Sequence, residues 1–595
     1  MAANVETLSQ VFLNTCRTYR KDSLLMSKRE GRYAPISTAE FEARVRHISL
    51  GLRELGLRPG DKAVIFSENR PEWVMTDFAI LCAGGVTVPI YPSLMPEQVK
   101  YIINDSDAQI VVCSNRELWL KVEAVRKDLS KVRHFVMIDE EPPAGLLTLG
   151  EVMAKGRPAA EADSGAFVTQ AMAVKPDDLA SIIYTSGTTG EPKGAMLTHI
   201  NFVSNSLALD AVTDFNHTDT ILSFLPLSHV LERMTTFSFL YKGATIAYAE
   251  SVDTVAENLL EVRPTIMISV PRLFDKIYNK VMDTILAGSG LKKRIFFWAL
   301  GVGKKVSARK LAHQPIPRWL ALRNALAHRL VFHKILEKTG GRVKFFVSGG
   351  APLAKDIAGF FHALGLIILE GYGLTETSPV LACNTFERLR FGTVGVPVPG
   401  VEIKIAPDGE ILARGPNVMK GYYKKDAETR EALEGGWFHT GDIGHVDADG
   451  FLVITDRKKD LIITAGGKNV APQPIENLLK TNPYILNAVV VGGNRKFISA
   501  LIVPNFEKLE PYAQANHIPF RDRAELCRRE EILSFMLAEV NRSTPDLASY
   551  ERVKKIALLD RDFELEAGEI TPTLKVKRNF VEQKYKPLID QLYQD

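Results

Sequence analysis

The stretch YTSGTTGEPKG (184–194) sets hydroxyls, glycines and a lysine behind an apolar, β-branched run, LASII (179–183). A strand that runs into such a turn can offer a phosphate its backbone N–H groups, the hydroxyls of Thr185, Ser186, Thr188 and Thr189, and the Lys193 cation. It is not a Walker A loop, which has Gly directly before the lysine and Ser or Thr directly after it. Here Pro192 and Gly194 flank Lys193. On composition alone the stretch fits a solvent-exposed hairpin turn as well. SGGAPL (348–353) and EGYGLTE (370–376) also end apolar runs in glycine turns, where a flat ring can approach the backbone. Glu376 can hold a magnesium ion that bridges phosphates, and Thr375 can donate to a phosphate oxygen. WFHTGDIG (437–444) offers Asp442, read as sitting in a tight turn, whose carboxylate can accept from both hydroxyls of a ribose. TDRKKDL (455–461) adds Arg457 at a change of sequence texture, and TPTLKVKR (571–578) carries Lys575 near the C-terminus.

The elements that must position these residues read as α/β. AVIFS (63–67), VTVPIY (86–91), QIVVCS (109–114) and HFVMID (134–139) are short and solidly apolar, with a helical stretch around WVMTDFAILCAGG. Solid rather than alternating apolar runs are those of parallel strands covered on both faces. Residues 1–60 read as mostly helical, with a turn at RPGD (58–61), and the Ala-, Gly- and Pro-rich stretch 140–178 as a surface excursion. Residues 272–340 read as helical and basic. From about 392 the chain turns β-rich and Gly/Pro-punctuated, like a small distorted sheet or barrel. A smaller α/β unit then follows.

The chain has 595 residues, 74 basic and 70 acidic, for a net charge of +4. That length exceeds one hydrophobic core, and the charge is too small to point to nucleic acid. Five scattered cysteines without a CxxC pair suit a reducing compartment and no structural zinc. The N-terminus lacks a signal-peptide pattern, and no apolar run approaches the roughly 20 residues of a bilayer span. A cytoplasmic protein, at most peripheral to a membrane, is expected. IFFWALGVG (295–303), with basic residues on both sides, reads either as a helix partly buried in the protein or as a peripheral membrane contact through 292–305.

In this order, YTSGTTGEPKG, LPLSHVLER, SGGAPL, EGYGLTE, WFHTGD, DRKKDLI, GGKNVAPQPIE and PTLKVKR resemble the core motifs of the adenylate-forming (AMP-binding) superfamily, over nearly the whole chain. The nearest group in resemblance is the bacterial long-chain fatty acyl-CoA synthetases. The resemblance implies a large N-terminal domain (1–457) of two α/β subdomains plus a distorted β-barrel (about 392–455), and a small mobile α+β C-terminal domain (458–595). It implies two half-reactions: ATP and a fatty acid give acyl-adenylate and pyrophosphate, and coenzyme A then displaces AMP.

Carried over by position, Thr185, Ser186, Gly187, Thr188, Thr189, Gly190 and Lys193 resemble the loop over the ATP phosphates. Gly349, Gly350, Ala351 and Pro352, with Glu370, Gly371, Tyr372 and Gly373, resemble the adenine wall. Thr375 and Glu376 match phosphate and magnesium positions, with Thr188 as a second metal position. Asp442 and Arg457 match the ribose pair, and Lys459 the hinge. Lys575 matches the lysine that bridges carboxylate and α-phosphate, and His229 a position near the acyl and thiol entry. Gly466, Gly467 and Lys468 match a loop that faces the site in the thioester-forming state. Leu574 stands where many relatives have Gly, a form that long-chain members share. The implied acyl tunnel would run near 221–275 and the 272–340 insertion, with Gly243 and Ala244 leaving space. Mg²⁺ is the implied cofactor, and fatty acid, ATP and coenzyme A the implied partners. A homodimer is a further expectation. The alternatives are an adenylating ligase for a medium-chain or aryl acid, one that loads a carrier protein, and a non-catalytic nucleotide-binding protein.

Overall fold

The structure is a computed structural model that describes residues 5–163, 165–185, 191–545, 547–564, 567–571 and 576–594. Two large sheets form the bulk of the chain. In the eight-stranded sheet the strands Leu179–Thr185, Val86–Ile90, Lys62–Phe66, Ile110–Cys113, His134–Met137 and Leu147–Thr148 run parallel in that spatial order. Lys193–Thr198 returns antiparallel beside Leu179–Thr185, and Gly421–Tyr422 closes that edge. The solidly apolar runs are the central strands of this sheet, buried on both faces. The helix Pro71–Cys82 links two of them and is buried along its length.

The nine-stranded sheet has Ile367–Gly373, Phe345–Ser348, Ile266–Ser269, Thr220–Ser223 and Thr245–Tyr248 as its parallel middle. A third sheet, four antiparallel strands from Glu402–Ile405 to Leu452–Arg457, carries bulges in two of its three pairings. After it come a small three-stranded sheet, Ile485–Val491, Ser499–Pro504 and Lys555–Leu558, and the helices Pro472–Lys480 and Glu530–Ser543, around a separate core. The expected fold class, a large α/β part with a curled β-sheet and a smaller α+β part, is borne out.

Two local expectations are corrected. Residues 1–60 contain a hairpin, Leu25–Arg29 with Arg32–Ile36, in which Arg29 pairs with Arg32. The two residues between them, Glu30 (φ 49°) and Gly31 (φ 78°), both have positive φ, as a two-residue hairpin turn that matches strand twist requires. The stretch 140–178 is not a surface excursion. It holds the helices Leu149–Ala162 and Ala166–Met172. Its small residues serve close packing: a Cβ on Gly156 would lie 2.1 Å from the His47 carbonyl oxygen, and one on Gly51 2.0 Å from that of Val152. Two helix backbones can approach that closely only through glycine.

The run 295–303 shows the partly buried helix that is one of its two readings. It lies within the helix Gly290–Leu311, and its apolar side faces the protein: Phe296, Ala299, Val302 and Gly303 are buried. A Cβ on Gly303 would sit 2.2 Å from the Ala363 carbonyl oxygen, in the helix Lys355–Leu364. That side of the run is a packing face, while Phe297 on it is 46% exposed. Among the described residues no helix is long and apolar enough to cross a membrane.

Candidate active site

A cleft of about 1400 Å³ opens between the large sheets, the four-stranded sheet and the C-terminal unit. The strand Leu179–Thr185 and the strand Lys193–Thr198 pair Thr185 with Lys193 across the base of their connection, and both residues line the cleft. Ser186, Gly187, Thr188, Thr189 and Gly190, between them, lie outside the described residues, as does Lys575. Lys193 Nζ stands 5.3 Å from the centroid of the Tyr422 ring. This is a cation–π distance that restricts where the ammonium can go.

On the opposite wall, Phe345–Ser348 ends in Gly349, Gly350, Ala351 and Pro352, all of which line the cleft. The neighbouring strand Ile367–Gly373 brings Glu370, Gly371, Tyr372 and Gly373 beside them. Burial pushes the Glu370 carboxyl up to about 8, against the N–H groups of Leu353 and Gly392. At Gly373 a Cβ would fall 1.7 Å from the Pro379 carbonyl oxygen, so only glycine lets the chain fold back there. The return is a single helical turn, Thr375–Thr377, that sets Thr375 and Glu376 on the cleft. Glu376 Oε1 accepts from the Tyr422 hydroxyl at 2.9 Å.

Asp442 is not in a tight turn, as its glycine neighbours suggested. It lies within the strand Phe438–Val446 and pairs with Arg457 of the next strand. Gly441, at φ 70°, supplies the irregularity without ending the strand. The Asp442 carboxylate accepts from Tyr372 Oη at 2.7 Å through Oδ2 and from Arg457 Nε at 3.1 Å through Oδ1. Burial opposes the charge on Arg457, yet the carboxylates of Asp442, Asp460 and Glu376 outweigh it and raise its pKa. The arrangement is a fixed anionic acceptor at the cleft with a cation beside it.

His229 lines the cleft as the N-cap of the helix Val230–Tyr241, where its Nδ1 accepts from the Leu231 N–H at 3.2 Å. Phe215, Phe239, Ile268, Phe345 and Val347 give the same cleft an apolar portion. Gly243 and Ala244 leave it no space. A Cβ on Gly243 would lie 2.3 Å from the Tyr19 ring, and Ala244 is buried in the main core. Residues 272–340 contribute no lining among the described residues.

From the C-terminal unit, Thr571 and Val576 line the cleft on either side of the undescribed Lys575 segment. Arg578, two residues beyond Val576, donates to Glu476 Oε1 at 2.6 Å and to the Val490 carbonyl at 2.5 Å. Lys459 also lines the cleft. Its neighbour Lys458 is tied to Glu410 Oε2 at 2.9 Å and Asp408 Oδ2 at 2.7 Å. Gly466, Gly467 and Lys468 are not brought to the cleft. They form the exposed turn between Ile462–Ile463 and Asn469–Val470, with Lys468 Nζ 5.8 Å from the Tyr550 ring. The residue that sequence reasoning missed is Tyr422, in KGYYKK, where nothing local distinguishes it from a tyrosine of a packing strand. Among the described residues no cluster of three or more His, Cys, Asp or Glu is arranged to hold a metal. A lone carboxylate suits magnesium, which protein sites commonly hold through one or two carboxylates together with substrate phosphates.

Comparison with known proteins agrees with this geometry. Residues 13–423 match the AMP-binding enzyme family and residues 459–595 the AMP-binding enzyme C-terminal domain. The chain is 38% identical over 568 residues to the long-chain-fatty-acid–CoA ligase FadD15 of Mycobacterium bovis, covering 95% of this chain and 93% of that one. It is 31% identical to the peroxisomal long chain acyl-CoA synthetase 7 of Arabidopsis thaliana, over 99% of this chain and 86% of that one. The crystal structure of the anthranilate CoA ligase AuaEII in complex with anthranoyl-AMP shares the fold, with a TM-score of 0.73 at 20% identity over the whole of both chains. With both parts matched along most of its length, the chain belongs to the family of AMP-binding enzymes.

Proposed function

We propose that this enzyme ligates a long-chain fatty acid to coenzyme A through an acyl-adenylate, with release of pyrophosphate and AMP. The observation that carries the reading is one continuous cleft. It joins the Lys193, Thr375 and Glu376 side, the Asp442–Arg457 pair and an apolar portion walled by Phe215, Phe239 and Ile268. The relationship to long-chain ligases supports the acyl length.

The chemistry explains the residue types. A carboxylate is a poor electrophile because its leaving group would be oxide, and adenylation makes phosphate the leaving group. Two anions must first meet, so fixed cations are needed, and in-line attack on the α-phosphate then depends on alignment rather than on a protein nucleophile. In this reading the loop from Thr185 to Lys193 covers the triphosphate, and Lys193 handles the departing pyrophosphate. Gly349–Pro352 and Glu370–Gly373 receive the adenine, and Asp442 accepts from the ribose hydroxyls with Arg457 beside it. Glu376, oriented by Tyr422, and Thr188 are proposed to hold magnesium, which when bound neutralises phosphate charge. Lys575 is proposed to bring carboxylate and α-phosphate together.

The C-terminal part, 458–595 with Lys459 as its hinge, is proposed to turn after adenylation. Gly466, Gly467 and Lys468 would then face the site. The cleft lining by Thr571 and Val576 supports assignment of the described arrangement to the first half-reaction. The test is a coupled assay of pyrophosphate release and thioester formation with a fatty-acid length series, in parallel with aryl acids and a carrier protein. Lys575→Ala is expected to abolish adenylate formation and largely spare thioester formation from supplied acyl-adenylate. Equal loss of both steps refutes the role given to Lys575, and preference for an aryl acid or a carrier protein refutes the substrate.

A further inference from the structure

Residues 290–342 contain thirteen Lys and Arg against one acid, Glu337, a net charge of +12 in a chain whose total is +4. The remaining residues therefore carry a net −8. Among the described residues the one ion pair within this segment is His333 with Glu337, at 3.1 Å. The positive charge faces solvent without local neutralisation. Exposed apolar side chains lie within the same segment: Phe297, 46% exposed, stands alone on the run that its sequence pointed to, and a denser group lies on the next helix. The helix Arg318–Ala327 buries only Leu320 and Ala327. Away from these, Trp319 is 55%, Leu322 73% and Leu326 48% exposed, and Leu330, in the following turn, is 47% exposed.

At about 100° per residue, Trp319, Leu322 and Leu326 fall within one stripe about a third of a turn from Leu320 and Ala327, with Arg318 on one side of it and Arg323 on the other. Arg329 extends the first side. The Arg323 guanidinium lies 5.8 Å from the centroid of the Trp319 indole. A tryptophan and leucines in a narrow exposed stripe flanked by arginines form the surface of a helix that lies in the plane of a lipid interface.

We propose that the helix Arg318–Ala327, not the 295–303 run, is the face with which this enzyme docks on an anionic phospholipid surface. The charge selects the partner. A second copy meeting this face about a two-fold axis would set Arg318, Arg323 and Arg329 against their own copies, since such an interface sets the same patch on both subunits. A nucleic acid would use the cations and leave the leucine stripe unburied. An anionic bilayer meets both: headgroups take the arginines, and the acyl boundary takes Trp319, Leu322 and Leu326. None of these side chains lines the catalytic cleft.

The experiment is co-sedimentation of the full-length enzyme with vesicles of phosphatidylcholine alone or mixed with phosphatidylglycerol. It is run on wild type, Leu322→Glu/Leu326→Glu, Arg318→Gln/Arg323→Gln/Arg329→Gln, and Phe297→Glu as the variant on the neighbouring helix. Wild type and Phe297→Glu are expected to bind the anionic vesicles far more tightly than the neutral ones. The arginine variant should bind on the order of 100-fold more weakly. The leucine variant should bind only at low salt and be released at about 0.5 M NaCl, where surface attraction is screened. Thioester formation in vesicle-free solution is expected to be equal in all four proteins. Failure of docking is thereby separated from failure of the proposed reaction. Equal sedimentation of wild type, the leucine variant and the arginine variant overturns the proposal. So does loss of binding in Phe297→Glu alone, or a wild-type dimer that Leu322→Glu/Leu326→Glu splits while no vesicle is bound.

Discussion

Arg233 is fully buried, and so is the carboxylate it meets, Asp77, with side-chain exposures of 0% and 1%. Its guanidinium donates to Asp77 Oδ2 at 2.8 Å from Nε and to Oδ1 at 2.6 Å from Nη2, and Nη1 donates to Ser181 Oγ at 2.5 Å. Thr87 adds a hydroxyl to Asp77 at 2.7 Å. The pair therefore joins the helix Pro71–Cys82 and two strands of the eight-stranded sheet to the helix Val230–Tyr241, whose N-cap is His229. Replacing Arg233 by Met keeps the volume but leaves a buried carboxylate with hydroxyl partners only. Loss of one partner of such a pair costs about 3–5 kcal/mol. That is a large share of the roughly 5–15 kcal/mol that separates folded from unfolded domains. The double variant Asp77→Leu/Arg233→Met removes both charges, and should recover most of the loss because neither ion is then stranded.

Urea unfolding followed by tryptophan fluorescence measures both variants, with Trp73, whose ring is 5.8 Å from the Arg233 guanidinium, as the local reporter. Adenylation assayed well below the transition should fall in the single variant and return in the double one. The reasoning would be falsified if Arg233→Met cost less than about 1 kcal/mol, or if the double variant were no more stable than Arg233→Met.

Tyr422→Phe, which keeps the ring beneath Lys193 and deletes the donor to Glu376, should lower the adenylation rate about 10- to 100-fold and raise the magnesium requirement. An unchanged magnesium dependence counts against the positioning role. Tyr372→Phe removes one of the two partners that fix Asp442 and should raise the KM for ATP about 10-fold with a smaller effect on kcat, read in pyrophosphate exchange. Burial pushes Glu232 from an ordinary 4.5 up to about 8. The folded state then holds a proton that the unfolded state has released, so this group's effect is to lower stability as pH rises between those values, by about 1.4 kcal/mol per unit. Glu232→Gln should flatten that fall in unfolding experiments from pH 5 to pH 8, and an identical slope in both proteins would exclude the assignment.

Much of the site was legible because its signals are local. A hydroxyl- and glycine-rich turn behind a buried strand, paired glycines after Phe345–Ser348, and an acid two residues beyond a Gly-Leu turn keep their meaning whatever packs against them. The solid apolar runs announced parallel strands for the same reason: burial on both faces is written into consecutive residues. The readings that failed depended on partners distant in sequence. The small residues of 140–178 looked like a loop until Gly156 met His47 across a helix–helix contact. Asp442 looked like a turn residue until Arg457 lay opposite it in a strand.

The sequence by itself determined the order of the glycine-turn, Asp442 and Arg457 motifs and the α/β alternation that carries them, because residue type and short-range period set both. Only the tertiary structure decided which tyrosine holds Glu376, which way 295–303 faces, and that 466–468 stands away from the cleft while Thr571 and Val576 line it. A face is apolar in sequence whether it meets a helix or a lipid. What covers it depends on contacts between segments separated by tens to hundreds of residues, and no local pattern encodes them.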